Sequence, residues 1–413
     1  MVLRRALVII ARLAVDNAKD FDLSRPRRVA VLGSTGSVGR NALELISARR
    51  ERFEVVALAA RGSEAELLDQ AAAFAPRAAC LVAGNERPRA LPAGTAWCTG
   101  AGGVLEALET AAPDLVLNAI TGAGGLPASE WTLAHGKTLA LANKESLVMA
   151  GPHLLELARS TGATLLPVDS EHCAIFQCLH GERRDRVRRI YLTGSGGPFR
   201  TRDLATFASI TREEALRHPT WNMGPRITVG SATMMNKAFE VLEAHWLFGF
   251  ERDQIEVLIH PQSIVHSMVE FVDGSMLAQL GLPDMRVPIL YCLTWPERVP
   301  FEFRPFEPAR WARLEFQAVD LERFPAIPLA YEVLGRGGDS GAHLNAADEV
   351  LTEMFLAGEA PFPAITATVA ATVRSLQPRP IRTLDDVLRA DREARAKARE
   401  LAGAGAGRRP SRS

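Results

Sequence analysis

The sequence of 413 residues contains few cysteines, no excess of charge and no long apolar run. Its cysteines form no CxxC pair, which argues against a zinc site or a disulfide framework and indicates reduced thiols in a cytoplasmic protein. Forty-eight basic residues balance 48 acidic ones, so no net field favours nucleic acid or an anionic membrane as a partner. No stretch approaches the roughly 20 uninterrupted apolar residues of a membrane span. An anionic small molecule is still an acceptable partner, because a local cluster of donors suffices to bind it.

The two ends of the chain differ from the rest of it. Residues 1–27 contain an apolar run at 6–11 that Arg12 interrupts, and no small-residue cleavage site follows. An amphipathic extension, or a start codon placed too early, therefore explains this segment better than a signal peptide. The tail at 403–413 is rich in Gly, Ala, Arg and Ser and is predicted to be disordered.

Between the two ends, the hydrophobic pattern predicts an α/β protein in three parts. Strand and helix patterns alternate over 28–168 and predict a Rossmann-like, doubly wound parallel sheet. The pattern over 169–295 is mixed α+β and includes a long helix predicted at 232–248. A linker rich in Pro, Arg and Phe is predicted at 296–320, and an α-helical domain at 321–402.

Three glycines separate the first predicted strand from the first predicted helix. Gly33, Gly36 and Gly39 give a GxxGxxG spacing, which within a βαβ unit favours a pyrophosphate-binding turn over a plain strand-turn-helix glycine cluster. The second strand ends near Arg61 and lacks the carboxylate that an NAD site uses to bind the ribose hydroxyl. Arg61 suits a 2′-phosphate instead, so NADP is favoured over NAD.

Three carboxylates form a candidate site for a divalent metal. Asp169 and Glu171 follow an apolar run that predicts a strand, and Glu240 shares one face of the long predicted helix with Asn236 and Lys237. Oxygen ligands of this kind suit Mg²⁺ or Mn²⁺. The alternatives are an exposed turn for the first pair and a solvated helix face for the second group.

Other residues could bind an anion near the metal. Ser195 lies in a glycine-rich loop, Ser231 is a candidate N-cap for the long helix, and Lys144 follows a predicted strand. A plain turn, an ordinary cap and a solvated lysine are the respective alternatives. His218 is either an anion ligand or a surface histidine, and Trp221, in a polar loop bounded by Pro and Gly, indicates a lid.

Ten motifs in order resemble one family from about Arg27 to past residue 375. They are GSTGSVG, NAITGAGGL, LANKESLV, PVDSEHCAIFQ, LTGSGGPF, HPTWNMG, SATMMNKAFE, HPQSIVHSMVEF, DGSMLAQLG and LNAADE. The sequence is similar to the 1-deoxy-D-xylulose 5-phosphate reductoisomerases. The resemblance implies metal-assisted rearrangement of that sugar phosphate, followed by NADPH-dependent reduction to 2-C-methyl-D-erythritol 4-phosphate on the non-mevalonate route to isoprenoids. It also implies a homodimer.

The resemblance assigns roles to residues that match the family's motifs. The cofactor contacts would be Gly33, Thr35, Gly36, Ser37, Val38, Arg61, Gly62, Ser63, Asn143 and Gly224. The metal ligands would be Asp169, Glu171 and Glu240. The sugar phosphate would contact Lys144, Ser170, Glu171, Ser195, His218, Trp221, Ser231, Asn236, Lys237 and Glu240. Lys144, Glu171, Asp169 and Glu240 are the candidate catalytic residues.

Three positions depart from the family's pattern. Ser63 stands where asparagine is usual, Gly124 where alanine is frequent, and Asp348 where asparagine is usual. Two other functions remain as alternatives: an NADP-dependent dehydrogenase of another phosphorylated sugar or semialdehyde, and a non-catalytic NADP-binding regulator. The three carboxylates argue against the first, and the retention of every ligand and of Lys144 argues against the second.

Overall fold

A computed structural model of the chain describes residues 25–217 and 224–406. These residues form two compact units. The first contains 25–143, Leu154–Phe176 and Asp284–Phe303, and the second contains Lys144–His153, 177–283 and 304–406. The domain limits drawn from the sequence stay a prediction, because these units describe packing and not function.

Strands and helices succeed one another along the described residues. The strands are β1 (Arg27–Leu32), β2 (Phe53–Ala60), β3 (Ala78–Leu81), β4 (Ala96–Thr99), β5 (Leu115–Asn118), β6 (Thr138–Leu141), β7 (Thr164–Pro167), β8 (Val187–Gly194), β9 (Ile255–Ile259), β10 (Val265–Phe271), β11 (Met276–Leu280) and β12 (Gln317–Ala318). The helices are α1 (Ser37–Ser47), α2 (Glu64–Phe74), α3 (Gly103–Ala111), α4 (Leu126–Ala134), α5 (Lys144–Thr161), α6 (Ser170–Cys178), α7 (Arg212–Ala215), α8 (Pro225–Ala232), α9 (Met235–Phe248), α10 (Arg286–Thr294), α11 (Ala326–Arg336), α12 (Ser340–Leu356), α13 (Phe362–Ser375) and α14 (Leu384–Ala406).

The first unit is built on a parallel sheet of seven strands in the order β4-β3-β2-β1-β5-β6-β7. Most of its strands are short apolar runs buried along their whole length, as expected when helices cover both faces of a parallel sheet. The main apolar core joins β1, β2, β3 and β5 to α3 and α4. The predicted doubly wound sheet is therefore confirmed, and its strand order reverses between β1 and β5, where open α/β sheets bind ligands.

The second unit contains a mixed sheet in the order β11-β10-β8-β9-β12. Strands β8 and β9 are parallel, whereas β10, β11 and β12 are antiparallel to their neighbours. The C-terminal helices α12, α13 and α14 pack on one another, so the predicted helical C-terminal region is also confirmed. None of the helices in the described ranges combines the length and the hydropathy that a bilayer-spanning segment requires.

The long helix predicted at 232–248 is wrong at its start. The structure has two helices there, α8 and α9, because Met234 adopts a left-handed conformation with φ of 59°. A non-glycine residue in that region interrupts the helical hydrogen bonds. Ser231 therefore lies in the last turn of α8 and does not cap α9.

Candidate active site

The glycine turn after β1 is sterically restricted at two of its glycines. Gly33 has φ of 76°, and a Cβ atom there would lie 2.5 Å from the carbonyl oxygen of Ala119. A Cβ at Gly39 would lie 2.4 Å from the carbonyl oxygen of Gly33. Helix α1 then begins with Gly36 as its N-cap and without a side-chain cap. A helix N-terminus of this kind favours a phosphate group, and the turn lies beside the switch point between β1 and β5.

The residues predicted to contact the cofactor nearby differ in exposure. Thr35 and Val38 are half-buried, whereas Gly36 and Ser37 are exposed. Arg61, Gly62 and Ser63 follow β2 and are also exposed.

The surroundings of Arg61 leave its guanidinium suited to an anion. Glu66, in the first turn of α2, is paired with Arg40 at 2.5 Å, and this hydrogen bond lowers the pKa of the Glu66 carboxyl. Ser63 caps α2 through its backbone alone. Among the described residues, the Glu66 carboxylate is thus neutralised by Arg40, whereas Glu64, in the same turn, is exposed.

Asn143 holds the loop after β5. Its side-chain amide donates to the carbonyl oxygens of Ile120 at 2.6 Å and Gly122 at 2.9 Å. A Cβ atom at Gly125 would lie 2.6 Å from Asn143 Cγ, so the loop passes directly over this amide. Asn118, which the sequence interpretation missed, donates to the Gly125 carbonyl at 2.8 Å. Both asparagines stand at strand ends within motifs that carry the family resemblance, and this placement could have pointed to Asn118 in the sequence.

The first pair of predicted metal ligands stands between β7 and α6. Asp169 precedes the helix, and Ser170 and Glu171 are in its first turn, where the helix dipole favours carboxylates. Ser170 Oγ donates to Glu171 Oε2 at 2.5 Å. His172, which had no predicted role, is buried, and its Nδ1 lies 4.0 Å from Asp169 Oδ2. Asp169, Ser170 and Glu171 are all half-buried, so a ligand can reach them.

Glu240, the third predicted metal ligand, lies in the second unit and is only 1% exposed. Lys144 Nζ lies 3.2 Å from its Oε1, and Asn236 donates to the same oxygen at 2.7 Å. Lys237 donates to Oε2 and, at 2.6 Å, to the carbonyl oxygen of Thr193. A solvated helix face is therefore excluded, because Lys237 and Glu240 are buried. The two ammonium groups and the carboxylate together carry one net positive charge, which suits an anionic substrate.

The loop after β8 brings Ser195 towards Ser231. Gly196 and Gly197 have φ of 81° and 67°, and the Gly197 amide donates to Ser195 Oγ at 3.3 Å. A Cβ atom at Gly197 would lie 2.6 Å from the carbonyl oxygen of Ser231. A Cβ atom at Gly194 would lie 2.9 Å from Lys237 Cε. The predicted phosphate ligands of this unit are thus neighbours, although Ser231 reaches this place from the end of α8.

Two predicted substrate residues, His218 and Trp221, lie outside the described residues. Gly224, the first described residue after them, is exposed and is the N-cap of α8.

The fold and the glycine turn place the chain among the dinucleotide-binding α/β proteins. Family models described as 1-deoxy-D-xylulose 5-phosphate reductoisomerase match residues 29–151, and models of its C-terminal domains match 165–248 and 280–397. The chain belongs to the 1-deoxy-D-xylulose 5-phosphate reductoisomerase family.

Relatives of the same name match over most of their length. The Geobacter metallireducens protein is 45% identical over 91% of this chain and 99% of its own length. The Burkholderia multivorans protein is 46% identical over 91% of this chain and 96% of its own. A solved Zymomonas mobilis reductoisomerase in complex with NADPH is 42% identical, with a TM-score of 0.85 over 92% of this chain and 99% of its own. A second solved reductoisomerase, with NADPH, fosmidomycin and magnesium, is 35% identical, with a TM-score of 0.85 over 91% of this chain and 98% of its own.

Lys237 is expected to stabilise the fold through Glu240. Replacing Lys237 by Met leaves a buried carboxylate with fewer donors, so we expect Lys237→Met to lower the free energy of unfolding by about 3 kcal/mol. Urea denaturation followed by circular dichroism measures this difference.

The matched control is Lys397→Met. Lys397 and Glu400 form a pair with the same i,i+3 spacing on α14, but their side chains are 29% and 65% exposed. We expect this substitution to change the free energy by less than about 0.5 kcal/mol. Equal losses in both variants would show that burial of Glu240 does not set the strength of its pairing.

Proposed function

We propose that this chain converts 1-deoxy-D-xylulose 5-phosphate to 2-C-methyl-D-erythritol 4-phosphate, with NADPH and a divalent cation, Mg²⁺ or Mn²⁺. The observation that carries the proposal is the buried group of Lys144, Asn236 and Lys237 around Glu240, in a chain that matches the family over 91% of its length. The five cysteines are free and buried, which supports the predicted cytoplasmic location.

The sugar phosphate would be bound through its phosphate. Ser195, Ser231 and Lys237 are neighbours in the second unit, and the amides of Gly196 and Gly197 lie in the same loop. A phosphate held there supplies binding energy at a distance from the reacting carbons. Lys144 would contact the reacting part of the sugar and, as a cation, stabilise negative charge on its oxygens.

The predicted metal ligands fit a hard cation. Asp169, Glu171 and Glu240 offer oxygen atoms alone, and the first two are half-buried at a helix start. When bound, the cation supplies Lewis acidity and orients substrate oxygens. Because Lys144 and Lys237 already donate to Glu240, we expect substrate binding to draw at least one ammonium group away from that carboxylate.

The cofactor would lie along the carboxyl ends of β1 and β2. The turn at Gly33–Gly39 would take the pyrophosphate, and Arg61 the 2′-phosphate. NADPH supplies the hydride that traps the rearranged carbon skeleton. Asn143, by holding the loop after β5, would keep this edge of the sheet open for the cofactor.

We also propose a homodimer, joined through β11. This strand is at the edge of its sheet, and Met276, Leu277 and Leu280 are 49%, 42% and 40% exposed. Val272, just before it, is 60% exposed. An apolar edge strand exposed on both faces is a template for pairing with a second copy.

The metal and Glu240 are expected to be required for turnover. NADPH absorbance should fall when 1-deoxy-D-xylulose 5-phosphate is added, EDTA should abolish this, and Glu240→Gln should lower kcat/KM by about 100-fold or more. Glu400→Gln, on the exposed surface of α14, is the matched control and should retain full activity. Oxidation of NADPH that persists in EDTA, or full activity of Glu240→Gln, would contradict the metal-assisted reaction. Oxidation with other sugar phosphates but not this one would favour a plain dehydrogenase.

Gly197→Ala is expected to disturb the phosphate site. The added methyl group would meet the Ser231 carbonyl, so we expect KM for the sugar phosphate to rise by about tenfold or more while KM for NADPH stays unchanged. Gly274→Ala is the control, because Gly274 also has a positive φ, 87°, but a Cβ atom there meets nothing within 4 Å. Steady-state kinetics of both variants separate backbone strain from displacement of Ser231. Similar KM values in the two variants would argue against a phosphate site at this place.

Leu277→Lys is expected to weaken the dimer. A charge on the edge strand opposes pairing with a second copy, so sedimentation velocity should show a larger monomer fraction than in the wild-type protein. Leu321→Lys is the control, because Leu321 is 53% exposed but lies outside the strand. A wild-type protein that sediments as a monomer would refute the dimer.

A further inference from the structure

A cluster of charged side chains lies in the second unit beside the proposed catalytic groups. Its guanidinium groups belong to Arg226 on α8 and Arg395 on α14. Its carboxylates belong to Glu145 on α5, Asp348 and Glu349 on α12, and Asp391 on α14. All four carboxylate residues are less than 10% exposed. We call these six residues the Arg226 cluster.

Arg226 is shared among three carboxylates. Its Nη1 lies 2.8 Å from Glu349 Oε1, a charge-assisted hydrogen bond. Its Nη2 lies 3.7 Å from Glu145 Oε1 and 3.9 Å from Asp348 Oδ2, distances beyond a direct hydrogen bond. Nη2 donates a hydrogen bond to Asn345 Oδ1 at 3.3 Å and stands between the two carboxylates, which both attract its positive charge. The other carboxylate oxygen of Glu349, Oε2, accepts a hydrogen bond from Arg395. Arg395 also forms an ion pair with Asp391, with 2.7 Å between Nε and Oδ2.

The cluster joins two helices that carry proposed substrate ligands. Glu145 follows Lys144, whose Nζ lies 3.2 Å from Glu240, and Arg226 belongs to the helix whose last turn contains Ser231. Through Asp348 and Glu349 the cluster also ties these helices to α12. A shift of Arg226 would thus move Glu145, and Glu145 is joined to Lys144 by one peptide bond.

Helix α12 supports the start of α5 over more than one turn. A Cβ atom at Gly341 would lie 1.9 Å from the carbonyl oxygen of Val148, so the two backbones are in direct contact. Asn345 Nδ2 lies 3.2 Å from Met149 Sδ. Beyond this close contact, the position of Lys144 depends on its own pairing with Glu240 and on how firmly its neighbour Glu145 is held.

The charge of Asp348 changes in the neutral range. Burial raises the pKa of Asp348, Arg226 opposes this rise, and Glu349 and Glu145 add to it, so that the pKa is about 7. Thr352, on the same helix, lies 3.5 Å from its Oδ1. While Asp348 is protonated, Glu145 competes for Nη2 of Arg226 without an ionised rival. Once Asp348 ionises, it draws Nη2 away from Glu145.

We propose that Arg226 is a positioning residue that holds Lys144 through Glu145, and that the proton on Asp348 sets how firmly it does so. The proposal rests on the proposed function, because Lys144 matters only if it contacts the substrate. It predicts a reductoisomerase whose Lys144 is best placed while Asp348 is neutral.

Asp348→Asn tests the proposal with a side chain of the same shape that stays neutral. We would measure kcat and kcat/KM of both proteins with 1-deoxy-D-xylulose 5-phosphate, at saturating NADPH and Mg²⁺, from about pH 6 to about pH 8.5. The ratio of variant to wild type cancels every titrating group whose pKa the substitution leaves unchanged. We expect this ratio of kcat to be near one at low pH and to rise roughly three- to tenfold as pH passes through 7.

Thermal unfolding of the same two proteins tests the titration itself. The folded-state pKa of Asp348 lies above its unfolded value, so the wild-type protein loses stability as pH rises from about 4 to about 7 and no further above that. We therefore expect the Tm advantage of Asp348→Asn to grow across this range and then to level off. A Tm difference that does not change with pH would overturn the proposal.

Arg226→Lys supplies a second kinetic measurement. It keeps the charge but not the fork that reaches Glu349 and Glu145 together, so we expect kcat to fall about tenfold with KM for NADPH unchanged. The control is Arg374→Lys, in an exposed pair with Glu332, which should leave kcat unchanged. A flat kcat ratio for Asp348→Asn with an active wild type overturns the inference alone, whereas a wild type that does not oxidise NADPH overturns the proposed function and the inference with it.

Discussion

The buried carboxylate of Glu240 is the constraint on which the second unit's candidate site depends. A carboxylate removed from water costs several kcal/mol unless cations and hydrogen-bond donors surround it. Here the donors come from the start of α5 and from α9 itself, and Lys237 extends the arrangement to the β8 carbonyl of Thr193. Neutralising one charge therefore sets the mutual positions of three elements. Two of these elements carry Lys144 and Lys237, and Ser195 directly follows the third, and the family resemblance assigns all three residues to the substrate.

The first unit depends on a different constraint, which is steric rather than electrostatic. Gly33 and Gly39 leave no room for a Cβ atom, so the chain can turn sharply between β1 and α1 and present a helix N-terminus. Constraints of this kind are local and are visible in the sequence as glycines at regular spacing. Charge neutralisation is not local: Lys144 and Glu240 are 96 residues apart, and Lys237 and Thr193 are 44 apart. The glycine turn of the first unit and the buried charges of the second are thus predictable to different degrees.

The secondary structure could likewise be predicted where it depends on local sequence and not where it depends on distant residues. The parallel sheet could be predicted because its strands are short apolar runs between helices. Strand β4 is harder to predict, because Ala96–Thr99 is only partly buried, whereas β3, β5, β6 and β7 have the same length and are buried throughout. The break at Met234 could not be predicted, since an apolar pattern continues across it and methionine rarely adopts a left-handed conformation. The position of Ser231 depends on that break. Periodicity placed Asn236, Lys237 and Glu240 on one face, but whether that face is buried depended on partners distant in sequence.

The Arg226 cluster is a further case in which the role of a residue, here Asp348, depends on partners that are distant in sequence. At position 348 the chain has aspartate where the resemblance led to the expectation of asparagine, and the consequence of this ionisable group depends on Arg226 and Glu145, which are on other helices. Four carboxylates around two guanidinium groups make a poor stabiliser, because buried charges are paired at a desolvation cost that apolar packing avoids. A chain that retains such a cluster beside its candidate catalytic lysine uses the charges for position. Unlike apolar packing, an ion pair has a direction and a strength that one proton can change.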